Sequence, residues 1–221
     1  MRFTVLLGLA LVGCGAAAPE VAELEGIDLS CHGGLECLPD DDPGLVQGSW
    51  RMRRGWQRAR DALSAVPPPR PEELDSFGVQ AYWANFDEWL AELTDRIDAA
   101  HDDLDEAAFE DRRQRVVAEA VLGLIYEEAA REIASLPIPD RIGDDVVDSA
   151  AHAERLERQA RAFRERSRAS YRECAQRGIQ PLDLRDWSRF CAARGQQLET
   201  AGGAAVHVVS RAETVVEVIR N

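Results

Sequence analysis

Apolar positions recur at intervals of three and four along most of this chain, the period of an amphipathic helix. Leu45, Trp50, Trp56, Ala59, Leu63 and Val66 approximate a first stripe. Pro67-Pro68-Pro69-Arg70-Pro71 stops that helix, because proline lacks an amide hydrogen and fixes φ. A second stripe carries Tyr82, Trp83, Phe86, Trp89, Leu90, Leu93, Ile97 and Leu104. Asp102, Asp103 and Asp105 then mark a turn or a new helix start, since Asp accepts from free amides. No Gly or Pro confirms a break there, so one very long helix is the alternative.

A third helix is expected from about Glu106 to Ser135, burying Phe109, Val117, Val121, Leu124 and Ile133. Leu136-Pro137-Ile138-Pro139 ends it. The fourth runs from about Arg141 to Arg177, with Ile142, Val146, Ala150, Ala153, Leu156, Ala160, Phe163, Ser167, Tyr171 and Cys174 as its stripe. Gly178 is placed as a C-cap, and Pro181 opens a fifth helix near Leu182 to Gln197. After Gly202-Gly203, Ser210-x-x-Glu213 has capping-box spacing before an apolar run, which predicts a short last helix. Val206 to Val209 fits a strand equally well, so residues 204–221 stay open between the two. The expected fold is all-α: a helical bundle or short array of about five helices.

The first residues carry a different signal. Met1-Arg2 is a short basic start, Phe3 to Leu11 is apolar, and Leu11-Val12-Gly13-Cys14 closes the run. The stretch is too short to span a bilayer and reads as a signal-peptide core. Those four residues resemble the lipobox of bacterial lipoproteins. The resemblance implies cleavage before Cys14 and a diacylglycerol on its thiol. It also implies a cell-envelope protein held to the membrane by its lipid. Gly15 follows where an Asp would imply inner-membrane retention, so the outer membrane is favoured.

The organisation that follows is a signal peptide over 1–13, a flexible acidic tether over 14–43 that has room for a small disulfide loop, and a helical domain over 44–221. From Pro19 to Ser49 there is no Arg, while Glu20, Glu23, Glu25, Asp28, Glu36, Asp40, Asp41 and Asp42 are all acidic. Such a segment repels anionic headgroups and holds the fold off the membrane. Asp40-Asp41-Asp42 lacks the ligand spacing and glycine of a calcium loop. The formal net charge of −14 also argues against nucleic acid, whose phosphates need basic contacts.

Apart from Cys14 the cysteines are Cys31, Cys37, Cys174 and Cys191, an even set that in an exported chain suggests two disulfides. Three pairings are possible. The simplest closes Cys31 on Cys37 and staples Cys174 to Cys191 across a helical hairpin, the latter contributing about 3 kcal/mol by chain entropy. Zinc is the competitor, with His32 beside Cys31, but the spacing is not Cys-x-x-Cys. The hairpin text, Tyr171-Arg172-Glu173-Cys174 and Asp186-Trp187-Ser188-Arg189-Phe190-Cys191, resembles hairpins of tetratricopeptide-like envelope proteins over about 40 residues. It lacks a second copy and the Trp-Leu-Gly signature, so the resemblance implies a helical interaction fold and no catalytic residue.

Candidate chemistry is sparse. Asp98, His101, Asp102 and Asp105 share one helix face and are weak metal candidates, with a single carboxylate-x-x-His motif where di-iron bundles need two. There is no His-Glu-x-x-His, no Gly-x-Ser-x-Gly and no phosphate-cradling loop. No cofactor, catalytic residue or enzymatic activity is therefore expected. The helical spacing of Tyr82, Trp83, Phe86 and Trp89 fits a core, and they are also the candidate partner surface, because adjacent aromatics on a helix point about 100° apart and leave one of each pair free to face a groove or a partner. The expectation is a non-enzymatic envelope lipoprotein acting as a scaffold for another envelope protein. The alternative is a lipoprotein binding a small ligand or metal between its helices.

Overall fold

The computed structural model describes residues 30–39, 49–69, 76–137, 141–142, 145–146, 149–179 and 184–200. Among them are helices α1 (Trp50–Leu63), α2 (Ser76–Glu110), α3 (Arg112–Ser135) and α4 (Ser149–Arg177), and a last helix, α5, over 185–200. A single turn of 3-10 helix spans Leu35–Cys37, and β1 (Arg141–Ile142) pairs antiparallel with β2 (Asp145–Val146). The fold is an all-helical bundle. Cys14, the signal peptide, Asp40 to Asp42 and residues 204–221 lie outside the described residues.

Helix α3 is the axis of the bundle. It packs against α4 most extensively and against α2 and α1 as well. Every residue from Ala120 to Ala130 is buried. A helix surrounded in this way must be apolar on all faces, and Val121-Leu122-Gly123-Leu124-Ile125 meets that demand. Two glycines allow close approach. A Cβ on Gly123 would stand 2.5 Å from the Tyr171 ring of α4, and one on Gly55 of α1 would stand 2.8 Å from the Leu104 side chain of α2.

The break expected near Asp102 to Asp105 does not occur, and α2 is the one long helix. Asp103 has no free amide to cap. It is buried and its carboxylate is taken by Arg54 and Arg58 of α1. The chain breaks instead at Asp111, the N-cap of α3, whose carboxylate accepts from the Arg113 amide at 3.2 Å. Phe109 therefore belongs to α2, and it is exposed rather than buried. Trp50 and Val66 are exposed too. Trp50 opens α1 with the Arg51 and Arg54 guanidiniums over its indole, and Val66 follows the helix end. Helix α4 starts at Ser149, not Arg141. Ile142 and Val146 stand on the two short strands, and Ala150 and Ala153 are exposed. The buried stripe from Leu156 to Cys174 is as expected. So is the α4 end, where the Gly178 amide donates to the Cys174 carbonyl at 3.0 Å.

Both cysteine pairs take the simplest arrangement, Cys31–Cys37 with Cα atoms 5.4 Å apart and Cys174–Cys191 with 6.0 Å. The first loop, expected within the tether, packs on the helices. Leu35, Cys37 and Leu38 are buried on the helical core, so residues 30–39 belong to the fold. Closing the loop lowers the entropy lost on docking it, which lets a few apolar residues hold it. Gly33 makes its turn with φ of 100°, a region that side chains disfavour.

The contact at Gly123 yields a prediction. Gly123→Ala should lower stability by about 2 kcal/mol in urea unfolding, because the enclosed Tyr171 ring cannot yield. Gly195→Ala, whose Cβ would sit 3.8 Å from the nearest Tyr171 atom, should be neutral or stabilising.

Candidate functional site

The aromatic group proposed as a partner surface is core. Tyr82, Trp83, Phe86 and Trp89 are all buried. Helix α4 covers the face that was to be free: His152 stacks on Trp83 at 4.7 Å, and the Arg155 guanidinium lies 4.9 Å from its centroid. The metal candidates stay apart. His101 Nδ1 lies 2.8 Å from the Tyr126 hydroxyl, and Asp98 faces Arg166 at 3.9 Å. Asp102 and Asp105 are exposed. Among the described residues no three His, Cys, Asp or Glu converge to hold a metal ion.

The structure assembles a different set. Glu127 and Glu128 lie on the most enclosed part of α3, and both are buried. Arg194 of α5 has no exposed side-chain surface, and its Nη1 lies 3.4 Å from Glu127 Oε1. The Tyr171 hydroxyl of α4 donates to Glu127 Oε2 at 2.7 Å. Arg194 Nη2 donates at 2.5 Å to the carbonyl of Cys31. His32 Nδ1 stands 3.9 Å from Glu128 Oε1, while Arg131 takes Oε2. One ionic cluster thus joins α3, α4 and α5 to the disulfide loop.

Burial raises the Glu127 carboxyl above its ordinary 4.5, against the opposing pull of the Tyr171 hydrogen bond and the Arg194 charge. Burial, and then the Glu127 charge, push the Tyr171 phenol well above 10.0. These groups are satisfied by one another, and their joint effect is to fix the loop.

Two hollows flank the loop. An open one of about 470 Å³ lies between it and α1, lined by Gly34, Leu35, Glu36, Trp56, Arg60 and Ser64, among others. Deeper, between the loop and α1 to α3, a narrow pocket has a free volume of about 20 Å³. That is room for about one water, far below the hundreds of cubic ångströms of a small-molecule site. Gly33 and Leu63 line both hollows.

Sequence alone marks Cys31 as a disulfide partner, His32 as a zinc candidate and Tyr171 as part of the hairpin, but it names neither Glu127, Glu128 nor Arg194 and does not bring the group together. A signal existed: Glu127-Glu128 interrupts a run that is apolar from Val121 to Ile125 and resumes at Ala129, and Asp103 sits within the stripe of Ala100, Leu104 and Ala107. Acids inside a buried period need cationic partners. Arg194 carried no comparable signal. Compared with protein-family models, curated proteins and solved structures, the chain matches none.

Two outcomes test the cluster. Arg194→Met should lower stability by about 3 kcal/mol, the effect of breaking a buried pair, and speed hydrogen exchange in residues 30–39. The pH dependence of Glu127 has a definite sign. The folded protein holds this proton more tightly than the unfolded chain. Its contribution is therefore complete below pH 4.5 and is lost as pH rises through the folded value. Glu127→Gln should flatten that fall in urea unfolding measured from pH 4.5 upward.

Proposed function

We propose that this chain is a lipid-anchored protein of the bacterial cell envelope that works without catalysis, as a scaffold or docking module for another envelope protein. Leu11-Val12-Gly13-Cys14 supplies the anchor, and Gly15 favours the outer membrane. The observation that carries the reading is the closure of both remaining cysteine pairs, since structural disulfides belong to oxidising, exported compartments. No helix among the described residues is long and apolar enough to cross a membrane.

Several polar groups with chemical potential are committed to architecture. Glu127, Tyr171 and Arg194 fix the loop, His101 meets Tyr126, and His152 stacks on Trp83. Residues 14–30 reach about 55 Å when fully extended, which keeps the fold near the bilayer. With the aromatic face of α2 covered, the open hollow beside the disulfide loop becomes the docking surface of choice. The alternative, a small ligand between helices, loses its proposed wall because Trp83, Phe86 and Trp89 are packed in the core.

Membrane fractionation with in-cell crosslinking and affinity capture tests this reading. The wild-type chain should sediment with membranes and bring down a reproducible set of envelope proteins. Cys14→Ser should be released from the membrane and lose that set. Unchanged sedimentation of Cys14→Ser, or capture of the chain alone, would sink the proposal.

A further inference from the structure

The narrow pocket has an unusual balance of charge and shape. Its floor is Leu93, Ile97, Ile125 and Ala129 with the buried Glu128, and its rim includes Gly33, Leu63, Ala65 and Glu132. The Glu128 side chain is 4% exposed. Among the described residues its Oε1 has no hydrogen-bond partner, and the imidazole facing it is 3.9 Å away. A bare carboxylate oxygen in an apolar floor is a standing penalty that a donor would relieve.

One turn on, burial raises the Glu132 carboxyl above its usual value, opposed by the Arg131 charge and aided by that of Glu128. The pocket's lining holds two carboxylates, Glu128 and Glu132, and no basic side chain, while Arg131 engages only the other Glu128 oxygen, Oε2, so the pocket suits a positive charge.

We propose that this pocket receives the ammonium group of a lysine side chain presented by the partner protein. The proposal rests on the docking role only for the carrier of the amine. A free volume of about 20 Å³ admits an ammonium, which is close to water in size, and refuses a planar guanidinium. The three N–H donors suit Glu128 Oε1 and the Glu132 carboxylate. The alkyl stem lies against Leu63 and Ala65 at the rim, as lysine stems do on apolar surface. The group must come from outside, because all 26 basic side chains of this protein other than histidine are arginines. The adjoining hollow, which shares Gly33 and Leu63, gives the segment bearing that lysine a place to lie.

The full chain in detergent is titrated with n-butylammonium, with 1-butanol and n-butylguanidinium as controls, following Tm and heat of binding. Saturable binding of the ammonium alone is expected, weakened tenfold or more by Glu128→Gln. Ala65→Phe, which narrows the mouth and leaves every carboxylate in place, should abolish it and guards against misfolding of the first variant. Equal responses to butanol, no saturation, or unchanged affinity in a folded Glu128→Gln would overturn the site. Carbodiimide crosslinking in native membranes then tests the carrier. Coupling of Glu128 or Glu132 to a partner lysine is expected. Partner capture that persists unchanged in Ala65→Phe would overturn the lysine contact and leave the docking role standing.

Discussion

Burial of α3 on every side is the constraint from which the rest follows. Four helices can surround a fifth only where backbones come close, and Gly123 under the Tyr171 ring is such a place. Enclosing α3 also carries Glu127 and Glu128 into the interior, where an isolated carboxylate is untenable. Tyr171 and Arg194 answer Glu127. Burying Arg194 in turn creates a guanidinium in need of acceptors, and the Cys31 carbonyl is one. The disulfide loop is thus the last link in a chain of compensations that begins with the packing of one helix.

The helical fold was legible because the apolar period is long and repeated, and the prolines after α1 and α3 are unambiguous stops. The cysteine pairing is the simplest of the three that the spacing left open. The errors share a cause: an Asp or an aromatic has more than one use. Asp103 resembled a cap and is an ion-pair partner from within the helix. Trp83 looked surplus to a core because nothing local reveals that His152 and Arg155 of α4 lie against its indole. Phe109 was placed on the wrong helix because the α2 to α3 break is written by one residue, Asp111.

The site was less legible than the fold, since it depends on residues remote in sequence. Glu127-Glu128 stood out within an apolar run, but their partners come from α4, α5 and the N-terminal loop. Arg194 is one of many arginines, and only the three-dimensional arrangement separates it from those that coat the surface of α4. The same arrangement sets the loop beside two hollows, so that the groups fixing the loop also shape the surface available to a partner.

The bond between Arg194 and Cys31 spans 163 positions. Contacts this distant in sequence form late, after the intervening chain has paid its loop-closure entropy. A chain made from its N-terminus therefore offers the cysteine-bounded loop to the solvent long before its seat exists. The Cys31–Cys37 bond is local and needs no such wait. The loop can close on itself early and keep its shape in reserve, and α5 then arrives at a part already made.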